Sequence, residues 1–355
     1  MRLALTGGGT GGHVFPALEV GRLAAEAGDD VRFFGSVRGI ESTAAQAAGF
    51  EFHSTPATPI PKVASLAGLR AVMGLLRNAR RVASDFKEWR PDALLATGGY
   101  SSGPSLRAAK SLGIPIVLHE QNSIPGRNTK MMGSTARRVC TVFQATAAHF
   151  PSQKVVLTGM PVRSDIVVAA HNPRTLAKCY TTLAAGGSQG ARALNEIVTR
   201  LAKASGAGHC WIHVAGPKLF DEVRDSNKSM PVGYKLASFL DTSEMASALS
   251  TIDFAIVRAG CGTIAELAIF GVPAIFVPLP TSFANHQLNN AKEIENLGGG
   301  TVMEQADATP DRLKEAWSQW REDGARRASA SEALRAWSKP DAAERVLAEV
   351  KGAVQ

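Results

Sequence analysis

Cysteine is scarce in this 355-residue sequence, and the four present, Cys140, Cys179, Cys210 and Cys261, are scattered. None forms a C-x-x-C pair, so neither a zinc site nor a disulfide framework is expected, which suits a reducing cytoplasm. No apolar run approaches the roughly 18 residues needed to span a bilayer. The opening MRLALT runs straight into a strand pattern, and no signal peptide is expected. Aromatics make up only 6% of the chain, yet apolar residues reach 45%, which suits a globular α/β protein and argues against disorder. The length suffices for two domains.

Acidic residues are short in one half only. Residues 1–160 carry 18 Lys/Arg against 10 Asp/Glu, whereas residues 161–355 carry 21 of each, so the whole net charge of +8 lies in the first half. A nucleic-acid binder of uniform basicity is not expected to look like this. A one-sided basic face suits an anionic surface. The stretch Ser65 to Arg90 is amphipathic, with Leu66, Leu69, Val72, Met73 and Leu76 at helical spacing and Arg70, Arg77, Arg80 and Arg81 among them. Residues 61–90 hold seven basic groups against two acids, and Arg127, Lys130, Arg137 and Arg138 form a second cluster without acids. Anionic lipid attracts such groups by about 1 kcal/mol each near the surface. Part of the apolar stripe is expected to pack on the protein's own sheet.

Short apolar strands alternate with helical patterns along the chain. Candidate strands are Arg2–Thr6, Val31–Phe34, Ala93–Thr97, Ile114–Leu118 and Val155–Leu157, then Tyr180–Ala185, Cys210–Val214, Phe254–Val257, Ala274–Val277 and Thr301–Met303. Alternation of this kind implies parallel sheets covered on both faces. A two-fold echo runs through it: LALTGGGTGGH returns as TTLAAGGSQGA, and DALLATGGYSSGP as DFAIVRAGCGT. The expectation is two Rossmann-like domains joined near Pro161 with a cleft between them. Ligands in such sheets lie at the carboxyl ends of the strands, where all four glycine loops fall.

Gly7, Gly9 and Gly12 fit the G-x-G-x-x-G pattern of dinucleotide binding, in which backbone N–H groups and a helix N-terminus meet a phosphate. A nicotinamide site also wants an acid about 20 residues on, at the end of the second strand. That strand, ValArgPhePheGly, ends without one. No G-K-[ST] follows any glycine loop, so a P-loop is excluded as well. His13, directly after the first loop, has no place in either scheme.

Seven phrases together carry a resemblance: GGTGGHVFPALEV, TGGYSSGP, HEQNSIPGRNTK, TGMPVR, GGSQGARALNE, RAGCGTIAELAIFGVPAIFVPLP and NHQLNNA. In order and spacing they resemble the bacterial undecaprenyl-diphospho-muramoylpentapeptide β-N-acetylglucosaminyltransferases, which add N-acetylglucosamine to lipid I, over about residues 1–350. The resemblance implies an α/β GT-B fold of two Rossmann-like parallel-sheet domains facing a deep cleft. Residues 1–162 plus 338–355 would bind the acceptor and membrane, and residues 163–337 UDP-GlcNAc. It implies inverting transfer to the C4 hydroxyl of the muramoyl unit, giving lipid II for peptidoglycan synthesis. The place would be peripheral, on the cytoplasmic face of the plasma (inner) membrane, with other cell-wall synthesis proteins as partners and no nucleic acid.

Carried over to this chain, the resemblance places Thr10, Gly11 and Gly12 beside the donor sugar and diphosphate. Asn122 would reach the donor, and Arg163 would pair with its phosphate, for which a guanidinium fork is suited. Ser188 would bond the diphosphate, with Gln189 beside it, and Leu240 would present backbone groups to the uracil. Cys261, Gly262 and Thr263, leading into Ile264 and Ala265, would form the helix N-terminus under the diphosphate. Glu266 would accept from the ribose hydroxyls, and Gln287 would contact the sugar with His286 adjacent. The chain departs from the family at Met160, where Asn is usual, at Cys261–Gly262, and in the less acidic loop 281–285.

Transfer requires a base for the acceptor hydroxyl and stabilisation of the departing UDP. In the resemblance, Arg163, Ser188 and the N–H groups at Cys261–Thr263 would be preorganised donors for the second task. No Asp-x-Asp occurs anywhere, so no metal and no cofactor are expected. His13 is the first candidate for base, because an imidazole titrates near 6.5; Glu120 is the second. The alternatives are another GT-B lipid glycosyltransferase and a non-catalytic UDP-sugar-binding scaffold.

Overall fold

The computed structural model describes every residue except Arg38, 58–64, 175–178, Ala207 and Lys228. Lys62 of the basic stretch therefore lies outside the described residues, as does the side chain of Leu66. The chain divides into two compact units, Met1–Val162 with Lys339–Gln355, and Arg163–Ser338.

In the first unit the strands are β1 (Arg2–Thr6), β2 (Asp30–Gly35), β3 (Glu51–Ser54), β4 (Ala93–Ala96), β5 (Ile116–Glu120), β6 (Arg138–Thr141) and β7 (Val155–Leu157). They form one sheet in the order β3-β2-β1-β4-β5-β6-β7, with every neighbour parallel, as in the register Leu5↔Phe33 and Leu5↔Leu95. The second unit holds β8 (Tyr180–Ala185), β9 (His209–Val214), β10 (Tyr234–Ala237), β11 (Phe254–Val257), β12 (Ala274–Phe276) and β13 (Gly300–Val302). Its order is β10-β9-β8-β11-β12-β13, again all parallel. Strands such as ALLA and FAIV are buried along their whole length, because helices cover both faces of a parallel sheet. The strand order reverses between β1 and β4 and between β8 and β11. A crevice opens beyond the carboxyl ends at such points, and the glycine loops lie there.

The helix Gly11–Glu26 buries Val14, Ala17, Val20 and Ala24 on one face of the first sheet. Ala343, Val346, Leu347 and Val350 of the helix Ala342–Val354 share that core. On the other face the helix Leu66–Trp89 packs Val82, Phe86 and Trp89 against Phe34, Leu94 and Ile116. Its apolar stripe thus divides. The later part is core, whereas Leu69 and Met73 are 54% exposed and Leu76 39%. Trp211, Trp317 and Trp320 are buried in the core of the second unit. Gly159, at φ +85°, lies where a Cβ would come within 2.5 Å of the Cβ of Lys339. The outgoing and returning segments of the chain therefore touch inside the first unit, and only glycine allows it.

Three strands were not legible in the sequence. β3 and β10 are edge strands, where half-exposed residues blur the apolar pattern, and β6 is four residues opened by an exposed Arg138. The cysteines require a correction. Cys179 and Cys210 form a disulfide, with Cα atoms 5.9 Å apart, where no pairing was expected. Cys179 immediately precedes β8, Cys210 lies in β9, and these strands are parallel neighbours paired Tyr180↔His209. Strand adjacency joins residues 31 apart in sequence, which a search for short spacings cannot see. Cys140 and Cys261 are buried and belong to no disulfide.

Candidate functional site

In the first unit two glycine loops interlock. Gly8 donates its N–H to the Gly98 carbonyl at 3.2 Å. A Cβ on Gly99, φ +79°, would stand 2.0 Å from the Gly8 carbonyl oxygen. Thr97 donates its hydroxyl to the His13 carbonyl at 2.5 Å, and Gly98 leaves the space that the His13 ring occupies, 3.1 Å from the Cβ it lacks. Asn128 donates its amide to the Gly99 carbonyl at 2.8 Å. The half-buried His13 ring is therefore fixed between loops that follow β1 and β4.

Thr10 is the N-cap of the helix Gly11–Glu26, yet its side chain caps no backbone N–H. Its Oγ1 lies 3.0 Å from His13 Nδ1 instead. The tautomer with hydrogen on Nδ1 donates to that hydroxyl and leaves Nε2 as the basic nitrogen.

Glu120 at the end of β5 is 2% exposed. Its Oε1 accepts the Asn122 N–H (3.1 Å) and side-chain amide (3.3 Å), and its Oε2 accepts the Gly126 N–H (3.0 Å). Burial pushes its carboxyl up, and those hydrogen bonds pull the other way. A carboxylate engaged on both oxygens by its own loop builds that loop. Asn122 is held by the same carboxylate, and its carbonyl accepts from Thr146 at 2.9 Å.

His119, which the sequence did not single out, donates from Nε2 to the Gly159 carbonyl at 2.9 Å and accepts at Nδ1 from Gln121 at 3.0 Å. In the second unit His213 is held likewise, between Tyr234 and Asn195 at 2.6 and 3.1 Å. Burial lowers each imidazole to about 4, against about 6.5 in an unfolded chain. Between those values the unfolded state binds protons that the folded state does not. Stability should therefore fall as pH drops through that window, by up to about 1.4 kcal/mol per pH unit per histidine. Glu120 and Glu266, whose carboxyls are raised by burial, act in the opposite sense. Urea midpoints at pH 7.5 and 5 should show the loss, with a shallower slope in His213→Gln. A midpoint independent of pH would refute it.

In the second unit the helix Cys261–Phe270 begins after Gly260 with no side-chain cap and no acid in its first turn. Uncapped N–H groups and the helix dipole favour an anion there. Glu266 stands on this helix, half-buried. Arg163, the N-cap of the helix Ser164–His171, donates from Nη2 to Glu266 Oε1 at 3.0 Å and from Nη1 to Thr242 Oγ1 at 2.9 Å. Burial raises the Glu266 carboxyl, and the guanidinium opposes it. Two residues expected to hold different parts of one ligand are thus bonded to each other.

Ser188 and Gln189 lie exposed on the loop after β8. That loop packs on the end of β9, where a Cβ on Gly190 (φ +74°) would fall 2.2 Å from the Ala215 carbonyl oxygen. Leu240 is half-buried beside the capping box of the helix Thr242–Thr251, with Phe239 53% exposed. Gln287 accepts the Leu279 N–H at 3.0 Å through Oε1, and burial lowers the neighbouring His286 imidazole. Ile264 and Ala265 are buried, at 0% and 5% exposure. Their side chains belong to the core, so any part in binding falls to their backbone. Met160 is also buried. Arg258, unassigned from sequence, donates to the carbonyls of Val277 and Pro278 at 2.9 and 3.0 Å, fixing the turn that leads to Gln287.

The description "Glycosyltransferase family 28 N-terminal domain" matches residues 3–141, and "Glycosyltransferase family 28 C-terminal domain" matches residues 181–346. A UDP-N-acetylglucosamine--N-acetylmuramyl-(pentapeptide) pyrophosphoryl-undecaprenol N-acetylglucosamine transferase of Bacillus licheniformis is 32% identical over 99% of both chains. The protein of the same name from Bacillus pumilus is 33% identical over 88% of both. The crystal structure of Acinetobacter baumannii MurG superposes with a TM-score of 0.81 at 28% identity, covering 99% of this chain and 100% of that one. The two parallel-sheet units are those of the GT-B fold.

Proposed function

The chain belongs to glycosyltransferase family 28, and from that premise we propose that it makes the β-glycosidic bond of the lipid-linked disaccharide of peptidoglycan. It is an N-acetylglucosaminyltransferase that moves N-acetylglucosamine from UDP-GlcNAc to undecaprenyl-diphospho-MurNAc-pentapeptide. Similarity over 99% of the length of a relative so named carries this reading.

In the mechanism that this reading supports, His13 Nε2 takes the proton from the acceptor C4 hydroxyl as that oxygen attacks the anomeric carbon. Thr10 anchors Nδ1 of the imidazole, and the Nδ1–H tautomer leaves Nε2 to act as base. The departing UDP develops charge at the N-terminus of the helix Cys261–Phe270, with Arg163 and Ser188 as further donors. Glu266 accepts from the ribose, and single displacement inverts the donor. In this reading residues 1–162 with 338–355 serve the acceptor and residues 163–337 the donor. Incubating the protein with labelled UDP-GlcNAc and a short-chain lipid I analogue, with and without EDTA, should put label into lipid in both arms. Tight UDP-GlcNAc binding without transfer would leave a non-catalytic UDP-sugar binder.

The proposed location is the cytoplasmic face of the plasma membrane, where other cell-wall proteins work. Among the described residues no helix is long and apolar enough to cross a membrane. The exposed Leu69, Met73 and Leu76 share the helix Leu66–Trp89 with four arginines, and apolar insertion beside cations suits an anionic surface. A Leu69→Glu/Met73→Glu variant should bind anionic vesicles at least about tenfold more weakly, with transfer to a water-soluble acceptor unchanged. Undiminished vesicle binding would remove this face from the proposal.

A further inference from the structure

Glu41 lies in the phrase RGIEST, which no sequence pattern singles out, and its carboxylate is completely buried. Its Oε1 accepts the N–H of Gly9 at 2.9 Å. A Cβ on Gly8 would fall 1.9 Å from Oε1, and a Cβ on Gly39 1.7 Å from Oε2. The carboxylate therefore fills the room that side chains at both glycines would need. Its Oε2 and the nearby Ser101 Oγ are buried without hydrogen-bond partners among the described residues. Among the described residues the one hydrogen bond its side chain makes is to the loop.

In a dinucleotide-binding loop the glycine N–H groups await a ligand phosphate. Here the N–H of Gly9 is already taken by a carboxylate of the same chain. Gly9 stands at φ +86°, and the next residue, Thr10, holds the His13 ring. We infer that Glu41 is a positioning residue: it serves as the internal hydrogen-bond acceptor of the first glycine loop and, through Gly9 and Thr10, sets the place of His13. It touches no substrate. The inference rests on the reading of His13 given above and deepens it.

The test compares the full-length wild type with Glu41→Gln, Glu41→Asp and Glu41→Ala. The readouts are kcat, KM for UDP-GlcNAc, and hydrogen–deuterium exchange of peptides covering residues 7–13 and 261–270. Glutamine keeps an acceptor oxygen for Gly9 and should hold kcat within about threefold. Aspartate withdraws the oxygen by about one bond length and alanine removes it. Both should lower kcat about 10- to 100-fold, the scale of a misplaced catalytic group. KM should change less than about threefold, and exchange should quicken in 7–13 but not in 261–270. Should Glu41→Ala fail to fold, Glu41→Asp carries the comparison. Wild-type kcat and exchange in Glu41→Asp would overturn the inference, as would a loss in Glu41→Gln equal to that in Glu41→Ala. An inactive wild type would sink the reaction assignment alone, because the exchange data still decide whether Glu41 holds the loop.

Discussion

The His13→Ala variant is expected to turn over about 10²- to 10⁴-fold more slowly than wild type, the usual worth of a general base. Its KM for UDP-GlcNAc should stay within about threefold. The expectation follows from how the ring is held. Thr97 fixes its backbone, Gly98 makes space for it, and Thr10 meets Nδ1 at 3.0 Å. A ring held at Nδ1 on a fixed backbone is placed for one proton transfer. Thr10→Val should give a smaller loss, because it removes the contact to Nδ1 while keeping the imidazole. Steady-state kinetics with labelled donor read both variants, and calorimetric titration with UDP checks that donor binding survives. Full activity of His13→Ala would leave the reaction without its proposed base. Glu120 would not inherit the role readily, since its two oxygens already accept from Asn122 and Gly126.

Glu266→Ala should raise KM for UDP-GlcNAc about 10- to 100-fold with a smaller change in kcat. A hydrogen bond to a charged group contributes about 1.5–3 kcal/mol, and the ribose is distant from the bond being made. The Arg163–Glu266 contact at 3.0 Å complicates the outcome usefully. Removing the carboxylate also releases a guanidinium toward the diphosphate, which offsets part of the loss. Glu266→Gln keeps an acceptor but no charge, so it should fall between wild type and alanine. Arg163→Ala should instead depress kcat as well, because a donor to departing UDP acts in the transition state. An unchanged KM in Glu266→Ala would remove the ribose role.

The two-fold α/β architecture was legible because its signals are local. Glycine loops end apolar strands, and helical stripes follow them. The strands β3 and β10 were not, since none of their residues is buried and no apolar face marks them. The Cys179–Cys210 bond, His119 at Gly159 and Glu41 under Gly9 were hidden for a different reason. Each joins residues about 30 to 40 positions apart, and only the strand order brings them together. His13 stood out because it fits no phosphate-binding pattern. The Arg163–Glu266 bond joins residues 103 apart, and the phrases that contain them say nothing of it.

Ala343, Val346, Leu347 and Val350 complete the core under the helix Gly11–Glu26. On the ribosome they follow Val162 by roughly ten to thirty-five seconds at about 5–20 residues per second. For that interval the first unit lacks part of its core, whereas the core of Arg163–Ser338 is fully translated before Ala343 is added. The unit translated second can therefore close first. The first unit, begun first, completes its core only when its own late helix arrives.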